Sequence, residues 1–533
     1  MREPQPTGAS ADEIAAGRLW VVAFALALLL YALTMAPDLV WQDAGEYQWN
    51  VGRFAWPWVD ATVWVRPGEA VRVHPWFLVL SRLLWIRPLW NYAFAATFCS
   101  ALGTALAVAN VALLVRLLTG HQWAAVVGGV TFGLGHAVWA HACVSEVYGW
   151  AAAFLGAECL CAWAWTRRRQ ARWLLLLFFL DGVAISNHLM AALGLAVFGT
   201  WLLVEWVRRR APAWVLPAAV GCWLAGGALQ WVVVGLEYAR TGDLAATVRS
   251  ATVGEYGGAV LNAADLPRLL KNSVLYVGLN YPTPLALAGL VGAVALARRR
   301  QAMATLVLAL AVVYLAWAVR YKVPDQYGFF VPFYVPASVL IGVGAARLAR
   351  GRGAWMRWIL VALAAVPVGV YAVLPGAARR AEIRFFQREL PYRDPYTYFL
   401  RPWQRGCLGA RQFAEDVMRS APKRAVILAD TTSSPPLKCL IDVERQRAGG
   451  PADLLVVDPY DARFDPALGA YWGSENLLPA LAGAGRRVFV VSKETDYQPE
   501  WVAAHARVVP FGRTADGRPL LYEVKPRAQE GPR

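Results

Sequence analysis

The sequence is short of charge. Only 17% of its 533 residues are charged while 58% are hydrophobic, a balance that excludes an ordinary soluble enzyme of this length. Cysteine is scarce, with seven residues and no metal-ligand spacing. Cys159 and Cys161 lie in an apolar run and read as small buried hydrophobes. Cys407 and Cys439 could form a disulfide in an oxidising compartment, a geometry that sequence does not show. There is no glycine-rich phosphate loop and no internal repeat. The first apolar run lacks a small-residue cleavage site after it, so it reads as a retained span rather than a signal peptide. The +16 net charge reads as loop arginines that set topology and meet anionic membrane lipids, not as nucleic-acid affinity.

What is abundant is apolar sequence in runs of membrane-spanning length, together with tryptophan. Of 26 tryptophans, 23 precede residue 376, as expected of aromatic belts at two membrane interfaces. The runs predict about eleven spans: 19–35, 91–118, 123–141, 148–165, 173–186, 189–206, 214–234, 273–297, 303–319, 329–348 and 355–374. The span at 273–297 is broken at Asn280-Tyr281-Pro282-Thr283-Pro284, and 76–89 predicts an interfacial helix. The runs Arg167-Arg168-Arg169, Arg208-Arg209-Arg210 and Arg298-Arg299-Arg300, with Arg347, Arg350, Arg352 and Arg357, all fall on one side of this count. By the positive-inside rule that side is the cytoplasm. The expectation is a multi-pass inner-membrane protein with a cytoplasmic N-terminal segment (1–18) and a transmembrane domain (19–375). An interfacial linker (376–404) and an extracytoplasmic soluble α/β domain (405–533) follow. In that domain 425–429, 454–457 and 488–491 read as strands. Asp430-Thr431-Thr432-Ser433-Ser434 reads equally as a ligand loop at a strand end or as a helix-capping loop.

The chain is organised around the first outer loop (37–75). It carries Asp43 and Glu46 three residues apart, Arg53, tryptophans at 41, 49, 56, 58 and 64, and His74-Pro75. D-A-G-E also has the spacing of an N-cap and its N3 acid, so solvated or capping charges are as well supported by spacing as a paired-carboxylate site. Four of six histidines (His74, His136, His141, His188) fall at expected outer ends of spans, where imidazoles suit phosphate binding or proton relay. Their spacing does not suit a metal, and none is expected. Two further outer clusters carry chemistry. One runs from His141 to Tyr148 and puts the Glu146 acid and the Tyr148 phenol at the mouth between two spans. The other runs from Arg320 to Tyr327 and includes Lys322 and Asp325. It reads either as a charged hairpin or as a phosphate clamp with Arg320 and Lys322 supplying the charge.

The motifs T-M-A-P-D-L-V-W-Q-D-A-G-E-Y and H-P, S-E-V-Y, the Asn187-His188 turn and Y-K-V-P-D-Q-Y-G-F-F-V-P-F-Y resemble a bacterial membrane family. That family is related to the protein O-mannosyltransferases of the GT-C glycosyltransferase superfamily. The resemblance spans roughly residues 20–350. Trp76 and Phe77 depart from the family's glycine and tyrosine after H-P, and the 56–74 insert is long. The resemblance implies a GT-C-like fold and a polyprenyl-phosphate-linked hexose donor, mannose or another. It implies a protein Ser/Thr or envelope-glycan acceptor, and inversion with Asp43 as general base. Arg53, His188, Arg320 and Lys322 are the expected partners of the leaving phosphate. A lipid-carrier transporter is the first alternative. It calls for intramembrane acids, broken helices and a repeat, whereas the acids read as lying in loops. A non-catalytic envelope assembly protein is the second.

Overall fold

The computed structural model describes residues 11–53, 70–86, 88–254, 258, 265–299, 301–323, 325–383, 390–445, 454–459, 462, 472 and 485–527. Trp56, Trp58, Trp64, Arg300 and Pro324 lie outside the described residues. In chain order the helices are α1 Ala11–Thr34, α2 Gln42–Arg53, α3 Pro75–Leu84, α4 Tyr92–Thr119, α5 Gln122–Gly133, α6 His136–Ala142 and α7 Tyr148–Arg168. There follow α8 Arg172–Asn187, α9 Ala191–Val207, α10 Val215–Gly226, α11 Ala228–Thr241, α12 Leu244–Thr252, α13 Leu266–Asn280 and α14 Ala288–Ala297. Next come α15 Ala302–Arg320, α16 Val331–Leu348, α17 Ala354–Arg380, α18 Pro395–Leu400, α19 Gly409–Ser420, α20 Ser434–Lys438 and α21 Glu500–His505.

Among the described residues, α1, α4, α15, α16 with the turn before it, and α17 are the five helices long and apolar enough to cross a membrane. The pairs α5/α6, α10/α11 and α13/α14, bent by 68°, 66° and 113°, raise the number to eight if each pair is one span. The chain is a multi-pass membrane protein. Eleven spans would also need α7, α8 and α9. The last two have 16 and 17 residues, about 25 Å of helix against a hydrocarbon core of about 30 Å. One expectation is corrected here. Glu158 and Asp181 are not in loops but buried inside α7 and α8.

The bundle is built around α4, 78% buried in its most apolar stretch where α1 is 11%. Asn91 starts α4 by accepting from the Phe94 N–H, and Gly120, at φ 78°, ends it. The first is an ordinary N-cap and the second an ordinary left-handed C-cap. Small residues let neighbours close in. A side chain on Gly103 would lie 2.7 Å from the Trp150 ring, and one on Gly149 2.2 Å from Thr104 Oγ1. Such contacts replace a hydrophobic driving force between helices in lipid.

The C-terminal region forms a five-stranded mixed sheet from β1 Val426–Leu428, β2 Leu455–Val457, β3 Val488–Val490, β4 Ala506–Arg513 and β5 Pro519–Pro526, in the order β2-β1-β3-β5-β4. β1 is parallel to β2 and β3, and β5 is antiparallel to β3 and β4. This sheet region does not stand apart from the bundle. Trp41 and Trp49 of the first loop share one buried apolar cluster with Phe413, Leu437, Ile441 and Phe489. Residues 395–404, expected to lie on headgroups, instead pack on the end of the bundle. Phe399 O meets His136 Nε2 at 2.7 Å, and the Gln404 N–H donates to Thr34 O at 2.7 Å.

Candidate active site

The loop between α1 and α3 folds back on the bundle because of one short helix. α2 starts on Gln42, whose φ of 64° is left-handed and whose N–H donates to Thr432 O at 3.1 Å. Asp43 therefore sits in the first turn of the helix rather than as its cap, so the capping-box reading does not hold. Gly45 is there because α2 lies against other backbone: a side chain would come within 2.4 Å of Val40 O and 2.9 Å of Pro435 Cβ. Trp49 reaches the sheet region, donating to Asp442 at 3.0 Å. Asp43 and Glu46, three residues apart, share one side of α2.

Two cavities meet at that side. The larger, about 260 Å³, is lined by Asp43, His136, His141, Glu146, Asp325 and Tyr327, with Arg393, Tyr398, Thr431 and Thr432 from the C-terminal part. The smaller, about 120 Å³, is lined by Asp43, Glu46, Tyr47, Arg72, His74, Tyr148, His188, Tyr321 and Asp325. Asp43 and Asp325 belong to both walls. Of the expected site residues, Asp43, Glu46, His74, His141, Glu146, Tyr148, His188, Asp325 and Tyr327 are thus brought together. Arg53, Arg320 and Lys322 line neither cavity. Arg53 lies over the Trp49 ring at 4.1 Å, and Lys322 forms an ion pair with Asp265.

The motifs interlock through main-chain hydrogen bonds. Ser100 Oγ accepts from Glu146 N at 2.6 Å and donates to Glu146 O at 2.8 Å, holding the S-E-V-Y turn. Asn187 Nδ2 donates to Val147 O at 3.1 Å, and its own carbonyl meets His74 Nδ1 at 2.8 Å. His74 has φ 48° just before Pro75, a conformation costing of order 1–3 kcal/mol. It is held there by that bond and by stacking on His188 with ring centroids 5.0 Å apart.

Asp43 lines both cavities; the protein around it raises its carboxyl above the usual range, with Arg72 opposing and Glu46 adding to the rise. Burial and the charge of Asp43 push Asp325 up to about 7. Glu146 is raised by burial and then by Asp43 and Asp325. Burial lowers His74 to about 4 and also lowers His188, so both imidazoles are neutral near pH 7. Since His188 Nδ1 accepts from Met190 N at 3.1 Å, its proton is on Nε2, and the residue lines the smaller cavity.

Arg72, which sequence reasoning passed over, supplies the charge instead. It pairs with Glu46 at 3.2 Å and lies in the smaller cavity beside Asp43. Its signal was its place two residues before His74. Arg393 does the same for the larger cavity, its guanidinium 4.9 Å from the Tyr398 ring. In the loop after β1, Ser433 stands at the N-cap of α20 without a side-chain cap bond. Asp430 accepts from Thr432 N at 2.8 Å and Ser433 Oγ at 2.7 Å, while Thr431 and Thr432 face the cavity at the end of a parallel strand. Among the described residues no group of three or more His, Cys, Asp or Glu could hold a metal ion. All seven cysteines are free thiols, so Cys407 and Cys439 are not joined.

Residues 73–211, which contain His74-Pro75, S-E-V-Y and Asn187-His188, match the family described as the protein O-mannosyl-transferase TMEM260 N-terminal domain. The chain has a GT-C fold and resembles the protein O-mannosyltransferases. Among solved structures it is similar to ArnT from Cupriavidus metallidurans. In the apo state that protein is 15% identical, with 96% of this chain and 98% of that chain covered and a TM-score of 0.59. Bound to undecaprenyl phosphate it is 16% identical, with 96% and 99% covered and a TM-score of 0.57. The arabinofuranosyltransferase AftD from mycobacteria is 14% identical, with 96% of this chain and 40% of that chain covered and a TM-score of 0.51. No curated protein matches the sequence.

Proposed function

We propose that this GT-C protein is a glycosyltransferase that moves a hexose, mannose or another, from a polyprenyl-phosphate donor to a hydroxyl of a protein or envelope glycan. The reading rests on one observation above all: Asp43 lines two adjoining cavities, each holding an arginine. Arg72 and His188 line the smaller, which we assign to the donor phosphate; Arg393, Thr431 and Thr432 line the larger, which we assign to the acceptor. The match to a protein O-mannosyltransferase domain and the likeness to a protein that binds undecaprenyl phosphate favour the same substrates.

In this mechanism the acceptor hydroxyl enters the larger cavity and gives its proton to the Asp43 carboxylate as its oxygen attacks the anomeric carbon. The bond from that carbon to the phosphate oxygen breaks, its electron pair leaves with the phosphate, and the carbon inverts. The leaving lipid phosphate already has a low basicity, so it gains more from the Arg72 guanidinium than from a proton. Asp325, titrating near 7, and the recessed Glu146 hold the sugar hydroxyls. The chemistry would take place at the outer face, with the C-terminal sheet outside and the arginine-rich helix ends in the cytoplasm.

Transport of a lipid carrier is the second reading, favoured by the buried Glu158 and Asp181 and by the three bent helix pairs. The two are separated by supplying purified protein in vesicles with radiolabelled polyprenyl-phosphate hexoses and membrane extract. Label in the acceptor fraction with an inverted anomeric centre is the result expected. Carrier crossing the bilayer with no label transferred from any donor contradicts the proposal.

A further inference from the structure

A second built site lies at the other end of the bundle. α14 and α16 touch backbone to backbone: a side chain on Gly292 would fall 1.9 Å from Leu340 O, and one on Gly344 1.8 Å from Ala288 O. Beyond this contact the helices part, leaving a crevice of about 540 Å³ between their C-terminal ends. Arg298, Arg299, Arg347 and Arg350 line it, and its other lining residues are aliphatic, all from α14. Arg299 is fixed in place, its Nη1 donating to Leu118 O at 2.9 Å. Along the same helix Leu290 and Val294 are 68% and 51% exposed, continuous with the lipid-facing side of a multi-pass protein. α16 starts beside Asp325 and Tyr327, so Arg347 and Arg350 lie about 25–30 Å of helix away from the candidate active site.

We propose that this crevice binds one anionic phospholipid, of the phosphatidylglycerol kind, on the arginine-rich face of the membrane. Four guanidinium groups with no acid among the lining residues match a phosphodiester, which Arg binds through paired N–H donors. The aliphatic wall of α14 gives the acyl chain an apolar path up from that headgroup. A free phosphate would use only the charged mouth. A topology signal alone needs positive charge near the interface but neither a crevice nor an apolar wall. The inference is independent of the sugar-transfer reading.

The test uses the full chain in a neutral detergent, with native mass spectrometry and thermal unfolding after addition of phosphatidylglycerol, phosphatidylcholine or inorganic phosphate. The expected result is one retained phosphatidylglycerol and a rise in unfolding midpoint that phosphatidylcholine and phosphate do not give. Arg298→Gln with Arg347→Gln should weaken phosphatidylglycerol binding roughly 30-fold, at about 1 kcal/mol per arginine. Val294→Trp, which blocks the apolar path and keeps all four charges, should also remove the preference. Equal effects of the two lipids, full reproduction by inorganic phosphate, or an undiminished preference in Val294→Trp would overturn the assignment. If the double variant does not fold, Val294→Trp decides alone.

Discussion

Arg72 carries the electrostatics of the candidate site. Its charge lowers the Asp43 carboxyl while the surrounding protein raises it, and the rise dominates. A base must be ionised to act, so transfer should fail on the acid side at a pH above the usual carboxylate range. Arg72→Gln removes a charge that opposes the rise. The acid limb of the pH–rate profile should then move further upward, and turnover should fall by about 100-fold as the leaving phosphate loses its partner. Arg72→Lys should restore much of the pH profile but less of the turnover, because an ammonium lacks the planar fork. An unmoved acid limb in Arg72→Gln would separate Arg72 from Asp43. Asp43, His74, Glu146, His188 and Asp325, legible because each stands in a motif beside a span, line the two cavities. Arg72, which stands in no such motif, lines the smaller cavity, and local spacing does not show that Lys322 pairs with Asp265.

At the scale of elements, α2 is held by the sheet region rather than by the membrane part alone. Lys438 and Asp458 form an ion pair at 2.6 Å, each side chain 7% exposed. Ser434 Oγ donates to the same carboxylate at 2.8 Å, and Lys438 lies 4.8 Å from the Trp49 ring. Removing one partner leaves the other charge buried, so Lys438→Met should cost roughly 3–5 kcal/mol, measured as a fall in unfolding midpoint. Gly45→Val should misplace α2 and lower kcat more than it raises KM, since its new side chain meets Val40 O and Pro435. Strands β1, β2 and β3 were legible as apolar runs, and α3 as a broken one. The docking of 395–404 on the bundle was not, because its aromatic and basic residues suit headgroups and protein equally well. Helix breaks after Gly133 and Gly226 were equally silent, since neither has a proline at the break.

For the molecule as a whole, the spacing of apolar runs and arginine clusters was enough to show a multi-pass bundle. It could not reveal that the C-terminal sheet closes the same cavity as the first loop, a contact between residues some 390 apart. Side is the next quantity to fix. An odd number of spans puts the two termini on opposite faces, so labelling of cysteines placed at Glu13 and Asp516 should require opposite-side access. Both labelled from one side would contradict the proposed topology. The most direct measurement combines these scales: sugar transfer from a polyprenyl-phosphate hexose by the reconstituted full chain, comparing wild type with Asp43→Asn. The account predicts transfer by the wild type and a loss of 100-fold or more in the variant, of the order a positioned general base supplies, with the unfolding midpoint unchanged or raised. Transfer by Asp43→Asn at the wild-type rate would contradict it.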